Sequence, residues 1–290
     1  MKIYNASIPL GLLKTYYETF HKPINVLLSI ATVGKELYKF RENRHMIRSC
    51  ICDSGAWSTH NADLKIDVVY VKTFYCNNKD LFDWYINFDE DFSTRGFAEN
   101  LENQKTLEEA GLRPVPVVHN FYNDEIEYYV EEGYNIIALG SSQNTSLDAT
   151  KYAVEKIKRL NPEIKIHLLG FTKIKELIEL PIASSDSASW AISGKFGFIK
   201  YWNWRKKGYD KTDHIYVDGY HGNKGNSYDF ATYPFKKELE DYLESNFGFS
   251  YKDLLGYRGQ FNVLLINLHY YVTLEDIINE ERRRLNIPLE

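Results

Sequence analysis

Cys50-Ile51-Cys52-Asp53-Ser54-Gly55 is a short apolar run that ends on an acid and breaks at a glycine, and the same form returns along the chain. Trp84-Tyr85-Ile86-Asn87-Phe88 runs into Asp89-Glu90-Asp91, and Leu180-Pro181-Ile182-Ala183 runs into Ser184-Ser185-Asp186. Read as buried strands, these runs ask for a sheet whose strands all point their C-termini at one face, as in a barrel of parallel strands. Carboxylates gathered at such a face suit chemistry at a sugar carbon, where one attacks and another handles protons. Taken singly, each Asp reads as a solvated turn residue or a helix N-cap. The repetition points to a site.

Working outward, apolar and β-branched stretches alternate with longer amphipathic ones, the βαβα order of a parallel sheet. The expected strands are 26–31, 50–53, 84–88, 115–119, 136–139, 166–169, 182–185 and 197–201. Helices are expected at 94–110 before Gly111, at 124–132 before Gly133, and at 148–160 before Asn161-Pro162. No GxGxxG loop follows a strand and no P-loop pattern occurs, so a nucleotide-binding doubly wound sheet lacks its usual support. The fold class expected is α/β: a (β/α)8 TIM barrel over about 24–247, with C-terminal helices over about 248–290, as one catalytic domain.

Composition sets outer bounds. With 290 residues, 44% hydrophobic and 26% charged, the chain suits a folded domain with a sizeable core. No apolar run reaches the roughly 18–20 residues needed to cross a bilayer, and the first residues lack a signal-peptide core. A cytoplasmic protein without a membrane partner is expected. Three cysteines argue against a disulfide framework. Cys50 and Cys52 form half of a metal motif with no second half, and Cys76 stands alone, so no metal is expected. The net charge of −5 supplies no general attraction to nucleic acid, which leaves a local basic patch as the only route to it.

The final third holds such a patch. Lys200-Tyr201-Trp202-Asn203-Trp204-Arg205-Lys206-Lys207-Gly208-Tyr209-Asp210-Lys211 interleaves cations with aromatics, and Tyr216, Tyr220, His221 and Lys224 follow. Cations for phosphates and aromatic faces for bases are what hold single-stranded nucleic acid, so Trp202, Trp204, Arg205, Lys206 and Lys207 are candidate contacts. A solvated loop whose aromatics pack on the barrel is the alternative. Helices are expected over 233–247 and 261–285, with Glu280 to Arg284 decorating the last.

Four short segments bring a family into view. Asp53-Ser54-Gly55-Ala56-Trp57-Ser58 resembles the DSGGF-type motif of the tRNA-guanine transglycosylases, and Asn87-Phe88-Asp89-Glu90 resembles their FDE segment. Ala138-Leu139-Gly140-Ser141-Ser142 is similar to their strand-end glycine pair, and Ser185-Asp186-Ser187-Ala188-Ser189-Trp190 to the segment with the nucleophilic aspartate. The resemblance covers roughly 25–205 and is nearest the divergent, zinc-less branch that inserts 7-deazaguanine bases into DNA. It implies a barrel that exchanges guanine at C1′ through a covalent intermediate. Asp186 would be the nucleophile and Asp53 the proton-transfer group. Asp89 would read the Watson–Crick edge of the base. Gly140 with Ser141 would let the base approach. Ser54, Gly55 and His119 are further candidates for the pocket, and Trp57 and Trp190, which follow two of the acids, either cover the base or pack between helices.

Physical reasons run parallel to that resemblance. A carboxylate close to C1′ stabilises and then captures the oxocarbenium-like centre, and a carboxylate's two oxygens match a guanine N1–H and amine. His119 ends its strand, so it is either a substrate contact or a buried, bonded histidine; His167 reads as structural. Three features depart from the tRNA enzymes. Their CxCxxC-plus-His zinc element is missing, the glycine pair is Gly140-Ser141, and too few residues follow 205 for an appended RNA-binding domain. DNA is therefore expected ahead of tRNA as the partner, with a free 7-deazaguanine base, no cofactor, and a homodimer allowed. The rival readings are a glycoside or nucleoside hydrolase using the same acids, and a non-catalytic nucleic-acid-binding barrel.

Overall fold

The computed structural model describes residues 1–61, 66–140, 146–217 and 227–289. Eight strands form one parallel sheet: β1 (Lys2–Ala6), β2 (Ile24–Ser29), β3 (Ile47–Asp53), β4 (Trp84–Tyr85), β5 (Val117–Val118), β6 (Ile136–Leu139), β7 (Lys165–Leu168) and β8 (Ser184–Ser187). Their order is β4-β3-β2-β1-β8-β7-β6-β5. Helices such as Phe97–Glu108, Glu125–Glu131 and Leu147–Leu160 make the crossovers that parallel pairing requires. The first two give way to Gly111 and Gly133, whose φ of 75° and 76° is the left-handed turn that favours glycine. Ser146 caps the third, its hydroxyl accepting from Ala149 N at 3.1 Å.

The sheet is strongly curled. Tyr4 on β1, Trp84 on β4 and His167 on β7 touch, with ring centroids 5.0 to 6.1 Å apart. In a flat sheet, β4 and β7 would lie about 24 Å apart, five steps of about 4.8 Å. Between the edge strands β4 and β5 the ladder shrinks to one parallel bridge, Ile86 with Val115. Asn87 N donates to Val115 O at 2.9 Å and Val115 N to Tyr85 O at 2.8 Å. The described sheet is thus a curled, all-parallel eight-stranded one, and not a barrel closed by a full ladder.

Two expectations need correcting. The segment 197–201 is a strand, but β9 (Phe198–Trp202) pairs antiparallel with β10 (Thr212–Tyr216), which also pairs with β11 (Tyr228–Asp229), in a separate three-stranded sheet. The eighth parallel strand is instead β1, between β2 and β8. Its Lys2 and Asn5 broke the apolar pattern. The fold gives their nitrogens partners, Lys2 Nζ donating to Ser49 Oγ at 3.3 Å and Asn5 Nδ2 to Asn25 O at 3.1 Å.

The chain divides into two compact units. The first comprises 1–8, 23–187 and 279–290 and holds the parallel sheet. Within it, Met1 N donates to Asn279 Oδ1 and Arg282 donates to the carbonyls of Leu180 and Ile182. The second comprises 9–22 and 188–278, with a core that includes Ile199, Ile215, Phe230, Leu239, Leu243 and Ile266. No helix among the described residues is long and apolar enough to cross a membrane.

Candidate active site

Successive residues of a strand face opposite sides, and register partners in a parallel sheet share a side. Ile51 pairs with Leu27 and Trp84, Val117 with Ala138, Ala138 with His167, and His167 with Ser184. Asp53, two residues beyond Ile51, pairs with Ser29; Asp186, two beyond Ser184, pairs with Tyr4. One face of the curled sheet therefore carries both acids at its C-terminal edge. His119, two residues beyond Val117, keeps the same parity.

Asp53 closes β3. Part of the residue remains exposed, yet its carboxyl group is enclosed by protein. Burial pushes its pKa up to about 6, the Gly55 N–H and the Ser29 hydroxyl pull the other way, and the charges of Asp186 and Asp89 add to the rise. Gly55 N lies 3.3 Å from Oδ1. Ser29 Oγ is near enough to favour the anion without completing a bond of ordinary geometry. Gly55 has φ 80° and would press a Cβ to 3.1 Å of Ala31, so the turn needs a glycine. Ser54 is buried within that turn.

Asp186 is held from one side. Its Oδ1 accepts from Gly170 N at 2.9 Å and lies 3.3 Å from His167 Nε2. His167 is fully buried, and its Nδ1 lies 2.8 Å from Ser184 Oγ. Both histidine bonds are made when the Ser184 hydroxyl donates to Nδ1 and Nε2–H donates to Asp186. Among the described residues no hydrogen bond engages Asp186 Oδ2, which leaves that oxygen for a substrate. His167, read from sequence as structural, is thus a partner of the carboxylate.

Asp89 follows β4 on a buried turn. Its Oδ1 accepts from Asn87 Nδ2 at 2.7 Å and its Oδ2 pairs with His119 Nε2 at 3.0 Å. Both oxygens are already bonded, so any further donor would use the remaining lone pairs. Burial disfavours a charged His119, but the Asp89 bond and charge, with Glu125 and Asp91, outweigh it and raise its pKa. Glu125 Oε2 accepts from the backbone N–H of His119 at 2.9 Å. Gly140 also makes room within the protein. A Cβ there would stand 2.8 Å from His119 Nδ1, so its bareness admits the imidazole. Ser141 lies outside the described residues.

Phe92 meets the His119 ring edge-on at 5.5 Å, and the exposed Trp57 meets Phe92 at 5.7 Å, an aromatic step leading away from the carboxylates. Trp190, expected at the pocket, is 1% exposed in helix Ser189–Lys195 of the second unit; a ring so covered is a packing group. Gly170, Glu125 and Ser29 carry no mark in the sequence reading, and His167 is read there as structural. Strand parity alone could have flagged His167 and Ser29.

The basic, aromatic run is a β9–β10 hairpin in the second unit, and much of it is committed internally. Trp202 is largely buried. Arg205 donates to Glu238 at 2.7 Å, and Lys206 to Asp213 at 3.1 Å and Thr212 O at 2.7 Å. Trp204 and Lys207 stay exposed; Tyr220, His221 and Lys224 lie outside the described residues. Cys50 and Cys52 are buried thiols, Cys50 pushed by burial up to about 12. Among the described residues no group of three or more His, Cys, Asp or Glu could hold a metal.

No protein-family model matches this sequence, and no curated protein matches it.

Proposed function

We propose that the first unit is a (β/α)8-type, base-exchanging glycosyltransferase that replaces guanine in nucleic acid with a 7-deazaguanine base, DNA ahead of tRNA, in the cytoplasm. The observation that carries the reading is the electrostatic grouping of Asp53 with Asp89 and Asp186, in which burial and the two neighbouring charges drive Asp53 up to about 6. A carboxyl group whose pKa is raised towards neutrality, set beside further carboxylates, suits proton transfer next to a nucleophile. Asp186 Oδ2 attacks C1′ as the bond to guanine N9 breaks, and Asp53 supplies the proton that the departing base takes up. The incoming base then attacks through its own N9, returns that proton to Asp53, and frees Asp186. Asp89, steadied by Asn87 and His119, accepts from the base's N–H groups.

The test is trapping with guanine-containing oligonucleotides and transfer RNA, read by denaturing electrophoresis and by uptake of labelled guanine. Asp186→Asn should fold, form no covalent complex and incorporate no label. An Asn variant that exchanges label at the wild-type rate would end the assignment of Asp186. Base release without any uptake of label would move the enzyme to the hydrolases.

A further inference from the structure

We propose that the second unit carries a binding site, independent of the carboxylate cluster, for a small organic cation of the alkylammonium class. The site is a cavity of about 370 Å³ bordered by β9, helix Lys236–Phe247 and helix Gly256–Arg284. Tyr201, Trp202, Tyr242 and Tyr270 line it, and the exposed Trp204 forms a further wall. Trp204 stands at 75° to Trp202 with centroids 6.0 Å apart, and Tyr201 at 62° to Tyr242 at 5.3 Å. Rings set at steep angles offer faces from more than one direction, which is how aromatic cages hold quaternary and methylated ammonium groups.

The rim supplies the charge. Glu238 and Asp241 line the same cavity and lie three residues apart, on one face of their helix with Tyr242 and Ser245. Each carboxylate is met by an exposed cation, Glu238 by Arg205 and Asp241 by Lys237. Exposed pairs of this kind are weak and exchange readily, so an arriving cation can share or replace them. The protein already uses the site's chemistry on itself: Lys211 Nζ lies over the Trp204 ring, 5.5 Å from its centroid. A nucleotide fits less well, because its phosphate would meet two carboxylates. A neutral apolar guest would gain nothing from them.

Choline, tetramethylammonium and dimethylbutanol, the uncharged carbon isostere of choline, would be titrated into the full chain and followed by tryptophan fluorescence and calorimetry. The two cations should bind saturably and the alcohol at least about tenfold more weakly, since the cavity rewards charge as well as shape. Trp204→Ala, at an exposed position that should spare the fold, should weaken choline about fivefold or more. Glu238→Gln should weaken it too. Equal binding of choline and its isostere would reduce the site to an apolar groove and overturn the proposal. So would the absence of saturation by either cation, or displacement of choline by a single-stranded oligonucleotide.

Discussion

Asp53 is held where water cannot fully solvate its charge, beside two further carboxylates, and its folded-state pKa near 6 stands above the ordinary 3.8. That difference is a statement about stability as well as chemistry. Below about 3.8 the residue is protonated in both states and its environment costs little. As pH rises the unfolded chain loses the proton first, so this part of the stability falls until the folded carboxyl ionises near 6. Asp53→Asn keeps the shape and cannot ionise. It should abolish base exchange and raise Tm by a few degrees at about pH 8, with the gain vanishing near pH 4. Calorimetric melts of both proteins across that range would check this. A variant no more stable than wild type at the alkaline end would mean that the carboxylate is not desolvated.

At the scale of elements, strand ends were legible and strand partners were not. The run Cys50 to Gly55 places an acid at the mouth of a buried strand by its own pattern, and β3 ends on Asp53. No comparable pattern marks Lys2–Ala6, because its polar residues find partners only on β2 and β3. Nor does Phe198–Trp202 announce that it joins another sheet, since pairing is a long-range property. The end of β6 shows the same limit within the site. The strand-end glycine reads as an opening for a base, and nothing in the local pattern tells that Gly140 also makes room for His119. Gly140→Ala should therefore cost about 1–3 kcal/mol through overpacking and push the imidazole off Asp89. With that bond lost, the pKa of His119 should fall, because the remaining large influence is burial. Proton NMR titration of the histidine would read the shift; an unmoved His119 would show that the ring does not depend on Gly140.

For the whole molecule, the closing residues show why composition and local pattern stop short of architecture. Arg282, Arg283 and Arg284 are consecutive and chemically identical, and the sequence reads all of them as decoration of a solvated helix face. In the structure Arg282 is fully buried within the first unit, donating to Ile182 O at 2.9 Å and to Leu180 O at 3.2 Å, while Arg283 and Arg284 are exposed. Those carbonyls belong to the segment that leads into β8, whose third residue is Asp186. Helical periodicity alone could not choose which arginine turns inward, because the choice depends on where β8 begins. Arg282→Ala would take its donor from Ile182 O, at about 1–3 kcal/mol, while Leu180 O keeps the Ile182 N–H at 2.8 Å; it would also leave a cavity where the side chain packed. The expected loss is about 3–5 kcal/mol, a large share of the roughly 5–15 kcal/mol that holds a typical domain together. Arg283→Ala, by contrast, should fall within about 0.5 kcal/mol of wild type, as exposed substitutions do. Urea unfolding of the two variants side by side separates the cases, and equal midpoints would remove Arg282 from the forces that fix β8 and the aspartate it carries.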